Sequence, residues 1–176
     1  METKTASIKK IALTYGVLLA SLSIVLQVLS YVLDAHIDRP WWLTVLQLLI
    51  SISVIVYGIK AYKTANAGFL TLGQALKTGL AISLIAGIIA VIFNYIFMNY
   101  IDPNFVQNTL DFTREQMIEQ NQNMTQEQID SAMSMSAKFM SPSIMSAFAL
   151  LATLFFGFII SLFAGLFLKK NPPQQF

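Results

Sequence analysis

The sequence predicts an all-α, polytopic membrane protein: four transmembrane helices, with an extracytoplasmic helical hairpin between spans three and four. Two observations carry this prediction. The chain is 56% hydrophobic and only 11% charged, far from the roughly 25% charged residues of a soluble domain. Apolar runs at about 11–33, 42–61, 78–100 and 142–168 reach the length that crosses a bilayer, for which about 20 residues suffice. Residues 1–176 are expected to form a single membrane domain.

The first span follows a basic start, METKTASIKK, and is interrupted only by small or uncharged residues such as Gly16, Ser21, Ser23 and Gln27. A cleaved secretory signal is the competing reading, but its apolar region would be only about 7–15 residues long. Leu33, Asp34 and Ala35 also lack the small-x-small cleavage pattern, so a retained signal-anchor helix is expected. The connector DAHIDRP leads to Trp41 and Trp42, where an interfacial aromatic belt is expected. The second span closes at Lys60, Tyr62 and Lys63, whose lysines can snorkel to head groups.

The third span, within GFLTLGQALKTGLAISLIAGIIAVIFNYIFMNY, opens on a capping box of Thr71 and Gln74. Gly79, Ser83 and Gly87 recur every four residues along one face, and Gly157, Ser161 and Gly165 repeat the spacing in span four. Both are read as helix-packing ladders. Between these spans, 101–141 forms an acidic helical segment, with a second capping box at Thr125 and Gln128. One face there gathers Met117, Ile118, Ile129, Met133 and Met140, a candidate docking surface for an envelope protein partner. Ser141 and Pro142 fit the N-cap and first turn of span four, which stops at Lys169 and Lys170 before NPPQQF.

Charge orients the bundle. Eight lysines (4, 9, 10, 60, 63, 77, 169 and 170) against Glu2 give +7 on the side of the termini. Arg39, Arg114 and Lys138 against eight acids give −5 on the other. The positive-inside rule places both termini in the cytoplasm, with the lysine rim on anionic head groups of the bilayer rather than on nucleic acid.

The segments GFLTLGQALKTGLAISL, NYIDPNF, EQMIEQ with TQEQIDSAM and KFMSPS, and FFGFIISLFAGLFLKK occur in one collinear order. On them the chain resembles a bacterial membrane family catalogued as domain of unknown function 4199. The resemblance implies four spans, a long extramembrane segment between spans three and four, and a bacterial inner-membrane location. It carries over no catalytic or binding residue.

Chemistry is scarce. No cysteine is present, which excludes disulfides and thiolate ligands, and the single histidine, His36, is read as a plain solvated loop residue. No nucleophile–base pair, phosphate loop or zinc spacing occurs, so neither an enzyme nor a cofactor is expected. No charged residue lies deep in any span, which argues against an ion-coupled transporter acting alone. Methionines 133 and 140 share a face but make a poor soft-metal site, and Asn123–Thr125 matches a glycosylation sequon in which Thr125 already caps a helix. Gln27, Gln47 and Asn94 are the polar exceptions, each about six residues from the outer end of its span. Interhelical hydrogen bonding is the ordinary reading of such amides, and a small polar pocket the sharper one. Two functions follow: a non-enzymatic accessory or interaction protein of the cell envelope, or a small lipid or solute carrier built as a homo-oligomer around the amides.

Overall fold

A computed structural model describes residues 7–121 and 123–171. Six α-helices are formed there, and each start is set by local chemistry. Ser7 opens α1 (Ile8–Val32), accepting from the Lys10 amide, and Pro40 precedes α2 (Trp41–Ala65). The capping box opens α3 (Leu72–Ile96): Thr71 Oγ1 accepts from the Gln74 amide, and Gln74 Oε1 from the Thr71 amide. Two shorter helices follow, α4 (Phe105–Gln120) and α5 (Gln126–Phe139), the latter opened by the Thr125–Gln128 box. Pro142 stands in the first turn of α6 (Pro142–Leu168), with Ser141 at the N-cap position but making no side-chain cap bond. At about 1.5 Å of rise per residue, the 25 residues of α1, α2 and α3 and the 27 of α6 exceed a bilayer core of ~30 Å.

The connections fall at opposite ends. Between α2 and α3 the chain turns through Ala67 and Gly68, both at positive φ, and the Gly68 amide closes back on the Lys63 carbonyl. A glycine at φ 82° avoids the Cβ clash of that region. Beyond it, Leu70 and Lys170 exchange a pair of backbone hydrogen bonds of 2.8 Å, tying the start of α3 to the end of α6, and Leu70 is fully buried. This is the lysine end of the bundle. At the other end α3 does not stop cleanly. It continues as a π-helical turn, Phe97–Ile101, closed by the Asp102 amide on the Phe97 carbonyl.

The third span is the centre of the packing, touching α6, α1 and α2, while α1 and α6 flank the α2–α3 pair. The core runs through Ala12, Leu19 and Ala20 of α1, Ile55, Ile59 and Tyr62 of α2, Ala75, Ile82 and Ala86 of α3, and Ile160 and Ala164 of α6. Small residues decide how closely these backbones approach. A Cβ on Gly16 would strike Ile85 at 2.8 Å, and one on Gly58 would meet the tip of Ile82. The outward faces are apolar, with Leu151, Phe155, Phe163 and Phe167 exposed. A surface of that kind is satisfied by lipid and not by water. The molecule is a multi-pass membrane protein.

Candidate functional site

In the half of the bundle nearer the lysine end, the two ladders interlock. The antiparallel α3 and α6 place Gly79 against Ser161 and Ser83 against Gly157, so each serine fills the gap left by the opposite glycine. Ser161 donates to the Gly157 carbonyl, satisfying its hydroxyl inside its own helix. Gly165 rests on Leu72 and Ala75, whereas Gly87 meets only the Cδ1 tip of Leu150. These six positions form a closely packed seam, and two of them, Ser83 and Gly157, also border the cavity that opens beyond it.

Toward the hairpin end the spans separate. A cavity of about 430 Å³ opens there, lined by all four spans, and Gln27, Gln47 and Asn94 all reach it. Gln27 Nε2 donates to Asn94 Oδ1 at 2.9 Å, joining α1 to α3. Gln47 is not part of that pair: its Nε2 donates to Ser23 Oγ at 2.9 Å and to Ser51 Oγ at 3.4 Å. The three amides therefore share one wall of space but split into two hydrogen-bonded groups. Thr153 and Ser83 add hydroxyls, and Ser83 Oγ is buried with no partner among the described residues. Ile55, Ala86 and Ile160 close the floor above the seam. The volume falls within the range of about 300–1,000 Å³ typical of small-molecule pockets.

A second cavity, about 250 Å³, adjoins it and shares Gln27, Asn94, Arg39 and Ala149 with the first. It lies beneath a cap built by the π-helical turn. His36 is not the solvated loop residue the sequence suggested. Its side chain is 13% exposed and its Nε2 donates to Asp102 Oδ2 at 3.1 Å. The ring meets Tyr31 edge-on and stacks on Phe105, while Phe97 is buried against both Tyr31 and Phe105. The Tyr31 hydroxyl donates to the Ile101 carbonyl at 3.4 Å. The covering of His36 comes from residues far along the chain, Phe105 and Asp102, which follow the π turn. Phe97 lies on the inward face of α3 by ordinary helical periodicity, in line with Gly79 and Ser83, and the π turn that begins at it ends at Asp102, which meets the α1–α2 loop. The segment NYIDPNF marked the place, but nothing in it announces a π turn.

The hairpin residues lie apart from this cap. α4 and α5 pack on one another, with Ile129 buried between them and Met117, Met133 and Met140 partly covered. Ile118 is less covered than these, at 46% exposed. Arg114 donates to Asp130 Oδ1 at 2.7 Å and ties the two helices across their polar side. Among the described residues no cluster of three or more potential metal ligands is found.

A family model described as "Protein of unknown function (DUF4199)" matches residues 14–170. No curated protein and no solved structure matches the chain.

Proposed function

Because the chain belongs to the DUF4199 family, whose description specifies no reaction, we propose from its cavity that it is a non-enzymatic membrane protein that holds a small amphiphile inside its bundle. The observation that carries this reading is the cavity of about 430 Å³ lined by all four spans of one chain. Its outer part is lined by amides and hydroxyls, and its inner end by Ile55, Ala86 and Ile160 beside the Ser83 hydroxyl. A carrier built this way does not need an oligomer to assemble the amides, since Gln27, Gln47 and Asn94 already face common space within one chain. Retention of a lipid through purification in mild detergent, read by native mass spectrometry of the intact protein, tests the proposal. A folded wild type that carries no adduct and binds no labelled acyl chain saturably would refute it.

A second reading, an accessory protein that engages an envelope partner through α4 and α5, is favoured by one observation. The hairpin packs on itself and makes little contact with the spans. Replacing Met133 with Asp should then release a co-purifying protein while leaving the four spans inserted; loss of the monomer's own stability would identify the hairpin as a lid.

In both readings the proposed setting is a bacterial inner membrane, the lysine end in the cytoplasm on anionic head groups and the hairpin outside. The +7 and −5 partition supports this orientation. Reporter fusions after Asp38 and Asn121 should behave as exported and those after Ala65 and Asn171 as cytoplasmic; a cytoplasmic signal at Asn121 would reverse the assignment.

A further inference from the structure

We infer that the larger cavity takes an amphiphile with one acyl chain and an anionic head, its oxyanion on Arg39 and its chain entering between α2 and α6. This rests on the reading of the cavity as a ligand site, and it names the ligand's chemistry and its route.

Arg39 is the cation at this site. It lines both cavities, beside Gln27 and Asn94. Its guanidinium offers five donors in a planar fork, the geometry that pairs with two oxygens of a carboxylate or phosphate. Among the described residues it has no ion pair. Asp34 and Asp38 share its loop without pairing with it, and Asp102 is engaged by His36. An exposed arginine that shares the cavity lining with two amides, and that forms no ion pair among the described residues, is complementary to an anion.

The route follows from which lining residues are exposed. Thr44 and Leu48 of α2 and Ala152 and Phe156 of α6 line the cavity and are also open to the outside of the bundle. These positions lie inside apolar spans, so the opening faces acyl chains and not water. A polar group at Arg39 beside the amides and a tail directed to Ile55 and Ile160 would match the lining at the cavity's two ends, where Ser83 is the one polar side chain among the inner residues. The volume of about 430 Å³ lies toward the small end of ligand pockets, which suits one chain and not the two of a bilayer phospholipid. The oxyanion can come from a fatty-acid carboxylate or from a lysophospholipid phosphate; the guanidinium recognises both.

Tritiated hexadecanol, a chain of the same length as palmitate with no charge, should bind the purified full chain saturably in mild detergent and serve as the probe to be displaced. Displacement by palmitate alone would identify the carboxylate source, displacement by lysophosphatidylglycerol alone the phosphate source, and displacement by both a general oxyanion site. Monopalmitoylglycerol, with the same tail and no charge, should displace weakly. Arg39→Gln should weaken the acids about tenfold, the size of one lost charge-assisted hydrogen bond, and Arg39→Lys less, with the neutral competitor unchanged in both. Ala152→Phe should narrow the side opening and weaken every competitor. If monopalmitoylglycerol competes as well as the acids and Arg39→Gln changes nothing, the anionic head is wrong and the cavity reading stands. If Ala152→Phe folds and binds normally, the lateral route is wrong. If the wild type binds no chain saturably, the cavity reading itself fails. The competition on wild type alone decides the head group even where a variant does not fold.

Discussion

The two ends of the bundle are built from the same four helices and reach opposite results. Near the lysine end, glycine, serine and alanine face one another, and α3 and α6 close until Ser161 fills the space above Gly79. Near the hairpin end, the inward positions are Gln27, Gln47, Ser51 and Asn94, and the helices part around a cavity. Small side chains allow backbone contact, which dispersion rewards in a membrane where no hydrophobic force drives helices together. Amides act differently. They require partners, reach for them across several ångströms, and hold space open while they do so. One half of the molecule is therefore held by shape and the other by hydrogen bonding.

The sharpest way to break the contrast is to put a side chain into the seam. Gly79→Leu or Gly157→Leu should lower stability by about 3 kcal/mol, the upper range of overpacking, because the added Cβ meets a serine fixed to the facing helix. Gly87→Ala should cost less than about 1 kcal/mol, since only the movable tip of Leu150 stands in its way. Thermal unfolding in detergent compares the three. Equal effects at Gly87 and Gly157 would mean that the seam is not closed at the lysine end.

A smaller effect is expected among the amides. A double-mutant cycle on Gln27→Leu and Asn94→Leu should return a coupling of about 0.6 kcal/mol, and at most ~2, from their 2.9 Å hydrogen bond. The same cycle on Gln47 and Asn94 should return about zero, because Gln47 is engaged by Ser23 and Ser51. Coupling in the second pair would merge the two groups into one network.

The smallest effect belongs to the hairpin. Arg114 and Asp130 are 42% and 55% exposed, so Arg114→Ala should cost from a few tenths up to about 1 kcal/mol. The difference should shrink as salt is raised, because exposed charges are screened. A cost that survives high salt would show that Arg114 contributes packing by its stem and not charge.

Much of the architecture was legible because it is local. A capping box involves residues three apart, and both boxes, at Thr71 and Thr125, are made with the partners their spacing names. A ladder of small residues lies on one helix face by periodicity alone, and the pairing of Gly79 with Ser161 needed only that α3 and α6 be antiparallel neighbours. Equal depth brought Gln27, Gln47 and Asn94 to one cavity, yet depth says nothing of rotation about the helix axis. It could not tell that Asn94 would take Gln27 while Gln47 turned to Ser23. His36 was misjudged for a related reason. Its partner, Asp102, is sixty-six residues away, at the end of a π turn of five residues.

By itself the amino-acid sequence determined that the chain is helical, that four stretches are apolar enough to leave water, and where those stretches begin. Hydrophobicity and hydrogen bonding along the chain are sums over neighbours, and a linear reading captures them. Only the tertiary structure decided that the amides would line one cavity, that Arg39 would border it without an ion pair among the described residues, and that the two hairpin helices would pack on each other. Each of those outcomes depends on the rotation and separation of helices far apart in the sequence. Both are settled by the simultaneous fit of all the facing side chains.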